Sequence, residues 1–480
     1  MFKTWRFVKA LSNNTYEITL GIEDLDLRYG DLLKFGTTIV IFGKPGCGKT
    51  VLASFICYKN ALKESKCLYI SMNEFEDEFI YYMKKLNMNF AELSGKSFKF
   101  VNALIPAGEE AARDLIQQIS ELITEFKPKV IVIDSINPLL RAIKSTERRA
   151  WMQNFFKSIP RIINGLLILV VEDPGSAEEY REVLLDIVYP SSLVINLRSY
   201  IRRGFIYRRA RFVKVRGGET QVVEVPFTIR SGVGIELWYP PQLMPEASFK
   251  DLATFKLPCR MLNEALDCLR TGESIYIGYA NLRPIMTNFI PIVTAAALIN
   301  KRQALVVSYT TSPEEWALRS AEALKDSGVD ESLVERVIEE VYVVKSVNPA
   351  GLSIEELYAI EAGLVKTIRP GIAIFWEVHA PMMTIGAREL HQYLAFLRNQ
   401  LILMKNQGVT VLRVGTFTDE KTFMNNASLS DYSIRYEALR NGVKISLYPK
   451  YRAPISISGE SLKECVKECV EYINTSFEKH

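Results

Sequence analysis

Short runs of branched apolar residues alternate along the first half of the chain with longer stretches that have helical periodicity. Three of the short runs cover residues 38–42, 130–133 and 166–171, and a fourth extends from Lys66 toward Glu74. Fully apolar strands are typical of a parallel sheet that is covered by helices on both faces. The stretches 109–126 and 149–163 are amphipathic and predict helices between these strands. The pattern predicts a doubly wound α/β domain.

One loop in this pattern carries a specific chemical signature. Between the strand at 38–42 and the helix that opens at Val51, the chain reads GKPGCGKT and fits G-x-x-x-x-G-K-[ST] at every fixed position. In such loops backbone amides surround a polyphosphate, the lysine meets the β- and γ-phosphates, and the hydroxyl ligates Mg²⁺. We therefore expect a nucleoside triphosphate here, with Lys49 on the phosphates and Thr50 on Mg²⁺. The residues expected to contact the nucleotide are Gly43, Lys44, Pro45, Gly46, Cys47, Gly48, Lys49, Thr50 and Val51.

A second strand supplies a carboxylate. The apolar run 130–133 ends at Asp134, and an acid at this strand end would hold the Mg²⁺ through water. The alternative, in which Asp134 only caps the strand, stays open at this point. The strand that begins at Lys66 closes on Asn73 and Glu74, so it also carries an acid toward the same region.

Length and composition are consistent with more than one domain. The chain has 480 residues, of which 48% are hydrophobic, and single cores rarely grow beyond about 250–300 residues. No apolar run approaches the roughly 18 residues of a membrane span, and the N-terminus lacks a signal-peptide core. The seven cysteines form no CxxC pair, and we interpret Cys465 and Cys469 as residues of one helix face rather than metal ligands. We expect a cytoplasmic protein without membrane contact.

The net charge of +4 is small but unevenly distributed. A segment between Arg198 and Gly218 contains many cations and no acid. It has three interpretations: a solvated edge hairpin whose charges block strand pairing, a subunit interface that meets a neighbour's nucleotide, or a nucleic-acid contact. The second is favoured. We call this segment the basic cluster; its members are Arg198, Arg202, Arg203, Arg208, Arg209, Arg211, Lys214 and Arg216.

These features together resemble the KaiC-like ATPases of the RecA superfamily. The phosphate loop, the strand ending at Asp134, the tail 208–217 with its Lys-Val-Arg-Gly sequence and the segment 224–237 are similar to that family. The resemblance covers nearly all of residues 15–240. It implies ATP hydrolysis with Mg²⁺ in a homo-oligomeric ring, expected to be a hexamer. It also implies that Lys214 and Arg216 reach into the nucleotide site of a neighbouring subunit.

The first half departs from the family at the expected general base. KaiC-like proteins usually carry a Glu-Glu pair after the strand that follows the phosphate-loop helix, and the first glutamate resembles the base. Here Asn73 stands at the first position and Glu74 at the second. Asparagine cannot accept a proton from water, although its amide can orient one. We therefore expect slow hydrolysis, with Glu74 as the base if the register is displaced by one residue.

From about residue 247 the chain resembles a second copy of this plan without its chemistry. The phosphate-loop position at 278–287 has one glycine and no Gly-Lys-Thr. Thr310 and Thr311 stand at the two glutamate positions, and Trp376 falls where Asp134 falls. The predicted fold is thus α/β, with two tandem RecA-like P-loop domains whose doubly wound sheets are mostly parallel. Their expected bounds are 1–245 and 246–480, and the second is expected to be degenerate.

The favoured function is an ATP-binding, slowly hydrolysing regulatory switch that assembles with copies of itself. The second domain would serve as a platform for a protein partner. Autophosphorylation is not expected at Ser428, Ser430 or Ser433, because the loop beside them has nothing to hold ATP. Two alternatives remain open: an inert ATP-binding scaffold, and a RecA/RadA paralogue that binds single-stranded DNA. Nucleic acid is not favoured, since no interleaving of aromatic and basic residues stands out in the predicted loops.

Overall fold

The chain forms two compact units, Met1–Tyr239 and Pro240–His480. The structure, a computed structural model, describes residues 17–143, 146–173, 185, 187–202, 204–217, 224–238, 253–266, 269–280, 283–384, 387–439, 442–449 and 452–478. Arg203 of the basic cluster, residues 281 and 282 of the second loop, and the expected domain boundary at 245/246 lie outside these residues.

The first unit has one sheet with helices on both faces. Its strands are β1 (Thr37–Gly43), β2 (Cys67–Ser71), β3 (Phe98–Asn102), β4 (Val130–Asp134), β5 (Leu166–Glu172), β6 (Leu193–Arg202), β7 (Phe205–Val215), β8 (Glu224–Arg230) and β9 (Gly234–Leu237). Its α-helices are α1 (Glu23–Tyr29), α2 (Lys49–Ala61), α3 (Glu76–Lys85), α4 (Glu109–Phe126), α5 (Asn137–Ala142) and α6 (Thr146–Ile162). Two 3₁₀-helices cover Gly30–Phe35 and Phe90–Glu92.

The strand order of this sheet is β3-β2-β4-β5-β1-β6-β7-β8-β9. The strands from β3 to β6 in this order run parallel, and β7, β8 and β9 follow in antiparallel pairing. Alternate residues of β1 serve two cores, because Ile39 and Ile41 pack on one face and Val40 packs on the other. The parallel strands end at one edge of the sheet. That edge brings the phosphate loop, Asp134 and the end of β2 close together.

The second unit is also an α/β unit with one sheet. Its strands are β10 (Ser274–Tyr279), β11 (Ala304–Ser308), β12 (Tyr342–Ser346), β13 (Ile372–Trp376), β14 (Thr410–Thr416), β15 (Tyr432–Leu439), β16 (Gly442–Pro449) and β17 (Ile455–Ile457). Its α-helices are α7 (Arg260–Ala265), α8 (Arg283–Ile299), α9 (Pro313–Ser327), α10 (Glu331–Val341), α11 (Ile354–Ile368), α12 (His379–Thr384), α13 (Ala387–Asn406), α14 (Glu420–Ala427) and α15 (Gly459–Glu478). One 3₁₀-helix covers Pro349–Gly351.

The second sheet repeats the strand order of the first. Its order is β12-β11-β13-β14-β10-β15-β16-β17, so the first strand of each unit lies fifth in its sheet, between the fifth and sixth strands of that unit. Strands β10 to β15 pair in parallel, and β16 and β17 pair antiparallel. Two mostly parallel sheets with flanking helices confirm the predicted fold class of two tandem RecA-like domains.

The cysteine prediction was incomplete. Cys465 lies on a helix, as expected, but it forms a disulfide with Cys259, which precedes α7. The two residues are 206 positions apart, and such a pairing cannot be deduced from spacing. Cys469 is a buried free thiol. Among the described residues, no helix is long and apolar enough to cross a bilayer, and no group of three or more metal-ligating side chains is present.

A buried carboxyl in the second unit predicts a pH-dependent stability. Burial raises the pKa of Glu361 from 4.5 to about 7, although Tyr309 and Gln400 both donate hydrogen bonds to its oxygens. The unfolded chain releases this proton near pH 4.5. We therefore expect the unfolding free energy of this unit to fall by about 3 kcal/mol as the pH rises from 4.5 to 7, and then to level off.

Hydrogen exchange within β13 and β14 in urea, compared at pH 5 and pH 8, measures this loss. Glu361→Gln is expected to remove the dependence, because the amide does not titrate. Glu339→Gln, at an exposed position on α10, is the matched control and is expected to keep it. The same slope in both variants would contradict the assignment to Glu361.

Candidate nucleotide site at the edge of the first sheet

The phosphate loop leaves the carboxyl end of β1 and enters α2 at Lys49. The residue before the helix is Gly48, which has no side chain to accept hydrogen bonds from the first helical amides. The first bond of the helix is donated by Leu52 to the Gly48 carbonyl, at 3.0 Å. The amides of Lys49, Thr50 and Val51 therefore lack acceptors within the helix, and together with the helix dipole they favour an anion.

Two glycines in this loop have no substitute. A Cβ on Gly43 would lie 2.2 Å from the carbonyl oxygen of Leu197 and 2.8 Å from the Cys47 sulfur. Gly48 has φ of 102°, and a Cβ there would lie 2.6 Å from Ile229 Cδ1. The loop is thus packed directly onto β6 and β8. Cys47 is fully buried beneath it, and burial raises the pKa of its thiol.

The structure brings Lys49, Thr50 and Asp134 together at this edge of the sheet. Lys49 Nζ turns back over its own loop and donates to the Lys44 carbonyl oxygen at 3.0 Å. The Thr50 hydroxyl hydrogen-bonds to the Asp134 carboxylate, which is 7% exposed. Burial raises the pKa of Asp134, while the hydrogen bonds from Thr50 and Tyr69 and the charge of Lys49 act in the opposite direction.

These residues fit a magnesium triphosphate. A hydroxyl and a carboxylate are the hard oxygen ligands that Mg²⁺ takes, and one or two such protein ligands are usual in nucleotide sites. The amides at the start of α2 and the Lys49 ammonium supply the donors that phosphate oxygens need. Of the described residues, Thr50 and Asp134 are the ones we assign to the metal.

Tyr69 was not predicted from the sequence, yet it positions Asp134. Its hydroxyl donates to Asp134 Oδ2 at 2.8 Å from within the core, where the ring stacks on Phe100. Its pKa is raised well above the usual value by burial and by the Asp134 charge. A tyrosine inside an apolar strand gives no sequence signal of this role, because strands commonly bury aromatic residues.

We expect Tyr69→Phe to weaken the Mg²⁺ dependence of nucleotide binding about tenfold while leaving magnesium-free nucleotide binding unchanged. The substitution removes one hydrogen bond to the carboxylate and keeps the ring packing, and such a bond contributes roughly 1–2 kcal/mol. Titration of a fluorescent ATP analogue at a series of Mg²⁺ concentrations measures the effect. Tyr58→Phe, on α2, is the control. An equal loss with and without Mg²⁺ would show that Tyr69 only supports the fold.

Glu74 is half-buried and close enough to Asp134 for the two charges to interact, whereas Asn73 is exposed. The Glu74 amide donates to Ser71 Oγ at 2.9 Å and its carbonyl accepts from Asn102 at 2.8 Å, so its backbone is fixed at the end of β2. Burial raises the pKa of Glu74, and the Asp134 and Glu78 charges add to this. The Asn73 side chain reaches Ser135 Oγ at 3.4 Å.

A second acid, Glu172, also belongs to this edge. It pairs with Gly43 across β5 and β1, and its charge acts on Asp134. Its backbone is held from both sides by one buried side chain, because the Asn137 Oδ1 accepts from its amide at 2.7 Å and the Asn137 Nδ2 donates to its carbonyl at 3.0 Å. The sequence marks Glu172 only as the end of an apolar run.

Lys214 and Arg216 lie away from the phosphate loop of their own chain. Lys214 pairs with Val194 on β6, and Val194 pairs with Val40 on β1, three residues before Gly43. At about 3.3 Å per strand residue, this is roughly 10 Å short of the loop along the strand. Lys214 Nζ donates to the carbonyls of Val188 and Tyr189 at 3.0 and 2.7 Å, and burial and Arg216 lower its pKa. Arg216 is exposed.

The basic cluster lies on a hairpin that is only partly a sheet edge. Its described cations lie on β6 and β7, except Arg216, which follows β7, and residues 208–211 of β7 pair with β8 on the other side, as in Arg209↔Pro226. The cluster also has acidic neighbours, since Arg209 lies 3.7 Å from Glu224. The tip of the hairpin, beyond Leu197, extends past the end of β1 and exposes Ile201, which is 77% accessible. The interpretation as a solvated sheet edge therefore does not hold for residues 208–211, which pair with β8.

The corresponding edge of the second sheet has different side chains. Tyr279 is the last residue of β10, as Gly43 is of β1, and Trp376 ends β13 opposite Ser308, as Asp134 ends β4 opposite Ser71. The Thr311 amide donates to Ser308 Oγ at 3.1 Å, as the Glu74 amide does to Ser71. Three residues join β10 to α8, whereas five join β1 to α2.

The sheet order, the phosphate loop after the first strand and the acid at the end of β4 define a P-loop domain of the RecA superfamily. Residues 18–242 match the family model described as ATPase: KaiC. This part of the chain is accordingly similar to KaiC ATPase domains, and this similarity suggests ATP binding.

Proteins of known description support this assignment at low identity. The chain is 27% identical over 180 residues to the archaeal flagellar ATP-binding protein FlaH of Methanocaldococcus jannaschii, covering 37% of this chain and 75% of FlaH. It is 25% identical over 222 residues to the circadian clock oscillator protein KaiC of Thermostichus vulcanus, covering 44% of this chain and 42% of KaiC. It is 25% identical over 124 residues to the circadian clock protein KaiC2 of Synechocystis sp., covering 26% and 22%. The chain thus spans less than half the length of these KaiC proteins.

Proposed function

We propose that the first unit binds Mg²⁺·ATP and hydrolyses it slowly, and that the protein acts as an oligomeric regulatory switch. The observation that carries this proposal is the joint placement of Lys49, Thr50, Asp134 and Glu74 at one edge of the sheet. Lys49 and the amides at the start of α2 bind the phosphates. The second unit takes no part in the chemistry, because a tyrosine and a tryptophan stand at the positions of Gly43 and Asp134.

Each residue of the site has a separate role in phosphoryl transfer. When bound, Mg²⁺ supplies positive charge that neutralises the phosphate oxygens. Thr50 and Asp134 hold it, and Tyr69 keeps the Asp134 carboxylate in place. Lys49 lies beside the loop and places its ammonium where phosphate charge develops. Asn73 can orient a water through its amide.

Glu74 is the group we assign to proton acceptance. Its raised pKa makes it a stronger base than an exposed glutamate, and a base acts best when its pKa approaches the working pH. Turnover is therefore expected to fall as the pH drops toward this raised pKa. Glu172 is another acid at this edge, and its backbone is fixed on the opposite side of Asp134 from Glu74.

We expect Glu74→Gln to lower steady-state phosphate release 10²–10⁴-fold with ATP affinity nearly unchanged, since general-base catalysis contributes roughly that factor. Glu110→Gln, at an exposed position on α4, is the matched control. Asn73→Glu is expected to raise the rate if the family register holds. If neither Glu74→Gln nor Asn73→Glu changes the rate, the base is misplaced, and Glu172→Gln then becomes the informative variant.

The inert scaffold is a second candidate, and the exposed asparagine at position 73 favours it. Phosphate release by the wild-type protein separates the two functions. Release above that of Lys49→Ala supports the switch, whereas tight ATP binding without release supports the scaffold. The second unit remains our proposed platform for a protein partner in either case.

A further inference from the structure

We propose that the second unit binds a small uncharged hydrocarbon-like molecule, about the size of one aromatic ring, inside its core. A cavity of about 110 Å³ lies between α8 and one face of the second sheet. It is lined from the sheet by residues such as Ile277 and Leu447 and from α8 by Phe289, Val293 and Ala296. Tyr436, which pairs with Tyr279, is the lining residue next to the edge of the sheet that corresponds to the nucleotide site.

The lining explains why the occupant must be apolar. All but two of the lining residues are hydrophobic, and the exceptions, Asn288 and Tyr436, hydrogen-bond to each other at 3.1 Å. A buried water needs two to four polar partners, and this wall offers no such set. An ion or a sugar would lose its hydration without replacement. A hydrocarbon gives up no hydrogen bonds to water when it enters the cavity, and it gains contacts with the apolar side chains of the walls.

The size of the cavity is unusual for a protein core. Interiors are packed at the density of organic crystals, and few voids exceed a water molecule. An apolar cavity of about 150 Å³ stays dry and takes up benzene or xenon, and the cavity in this unit is of comparable volume. The residues around it are well buried, since Leu447 is fully buried and Ile285 is 2% exposed. Other lining residues, such as Leu257 and Ile292, are half-buried, so the cavity extends from the core toward the surface and is open on one side.

The cover of the cavity is fastened by a disulfide. Segment 255–266, which includes α7, contributes Phe255 and Leu262 to the lining, and α15 contributes Leu462. The bond between Cys259 and Cys465 joins these two elements directly. The Arg260 amide also donates to Glu468 on α15, at 3.0 Å. We infer that this clasp slows exchange between the cavity and solvent.

The test uses xenon and benzene as probes with the full-length protein. Nuclear magnetic resonance of ¹²⁹Xe and benzene titration are expected to show one saturable site per chain. Ala296→Leu and Val293→Leu fill the cavity from α8 and are expected to weaken binding at least tenfold. Ala350→Leu adds the same volume at an exposed position and is expected to bind as the wild type does. Thermal unfolding of each variant shows that it is folded.

Folded wild-type protein without a saturable site would overturn the proposal. Binding of equal strength by both cavity-filling variants would overturn it too, because the probe would then sit elsewhere. Cys465→Ser is expected to speed probe exchange at least tenfold with little change in affinity. Equal exchange rates would overturn the role of the clasp. None of these measurements depends on ATP, so they stand apart from the proposed function.

Discussion

Lys49→Ala is expected to abolish ATP binding by the whole chain, and the wild type is expected to bind one nucleotide per chain. Lys49 is 7% exposed and its ammonium is held 3.0 Å from the Lys44 carbonyl oxygen, so the charge is already positioned over the loop. Removing a charged donor from such a cradle costs roughly 1.5–3 kcal/mol, or about 10–150-fold in affinity for that contact alone. The phosphate charge then loses its partner in a partly enclosed site, which increases the effect.

Native mass spectrometry with ATP and Mg²⁺ counts nucleotides per chain and measures this loss directly. Lys63→Ala removes an exposed lysine near the end of α2 and is the matched control. Retained binding by Lys49→Ala would mean that the phosphates lie elsewhere. Two nucleotides per wild-type chain would refute the claim that the second unit has lost its site.

We expect a single nucleotide per chain because the residues of the second sheet that stand at the positions of the nucleotide site differ from those of the first sheet. A nucleotide needs the backbone of the loop to approach it closely, and Gly43 permits this with no Cβ. Tyr279 stands at the same strand end with its ring fully buried, so its side chain occupies space within the fold. The shorter connection to α8 also leaves fewer amides to surround a phosphate. These differences concern shape as well as charge, and a single substitution would not restore the site.

The sequence predicted the parts of the site that depend on local pattern. The phosphate loop, the strand ending at Asp134 and the helix Glu109–Phe126 follow from residue type and spacing, and they are present as predicted. The resemblance to the KaiC-like ATPases also predicted that the second half of the chain repeats the plan of the first half. The loop, the strand and the helix each depend on residues that are close together in the sequence, where the backbone has few alternative conformations.

The remaining parts of the site depend on contacts between distant segments. Tyr69 reaches Asp134 because β2 and β4 are neighbours, and nothing near residue 69 signals this. Asn137 hydrogen-bonds to the backbone of Glu172, which is 35 positions further along the chain. Cys259 forms a disulfide with Cys465, which is 206 positions away. The sequence left a sheet edge open as one interpretation of the basic cluster, because the pairing of residues 208–211 with β8 involves a strand further along the chain. Such pairings are set by tertiary packing, which local pattern does not encode.

Arg216→Ala is expected to lower ATP turnover 10³-fold or more while leaving nucleotide binding to a single chain unchanged. Lys214 and Arg216 lie beside the start of β6, roughly 10 Å along the strand from the phosphate loop of their own chain, so a role in a neighbouring subunit's site is the one we expect. Across a subunit boundary, an arginine that neutralises developing phosphate charge contributes 10³–10⁵-fold in rate. Lys214 is tied to the carbonyls of Val188 and Tyr189, which leaves Arg216 as the exposed cation of the pair.

Mixing variants tests whether this action crosses a subunit boundary. In an assembly of Arg216→Ala with Lys49→Ala chains, some interfaces combine an intact phosphate loop from one chain with an intact Arg216 from the next. We therefore expect the mixture to recover part of the turnover that neither variant has alone. The matched control uses Arg161→Ala, at an exposed position on α6, in place of Arg216→Ala. We expect Arg161→Ala chains to have the same turnover as wild-type chains, both alone and in every mixture.

ATP should also promote assembly, because a ligand that binds at an interface stabilises the assembled state. A mixture that assembles but stays inactive would show that Arg216 does not act in trans. A wild-type protein that stays monomeric with ATP would exclude the ring itself.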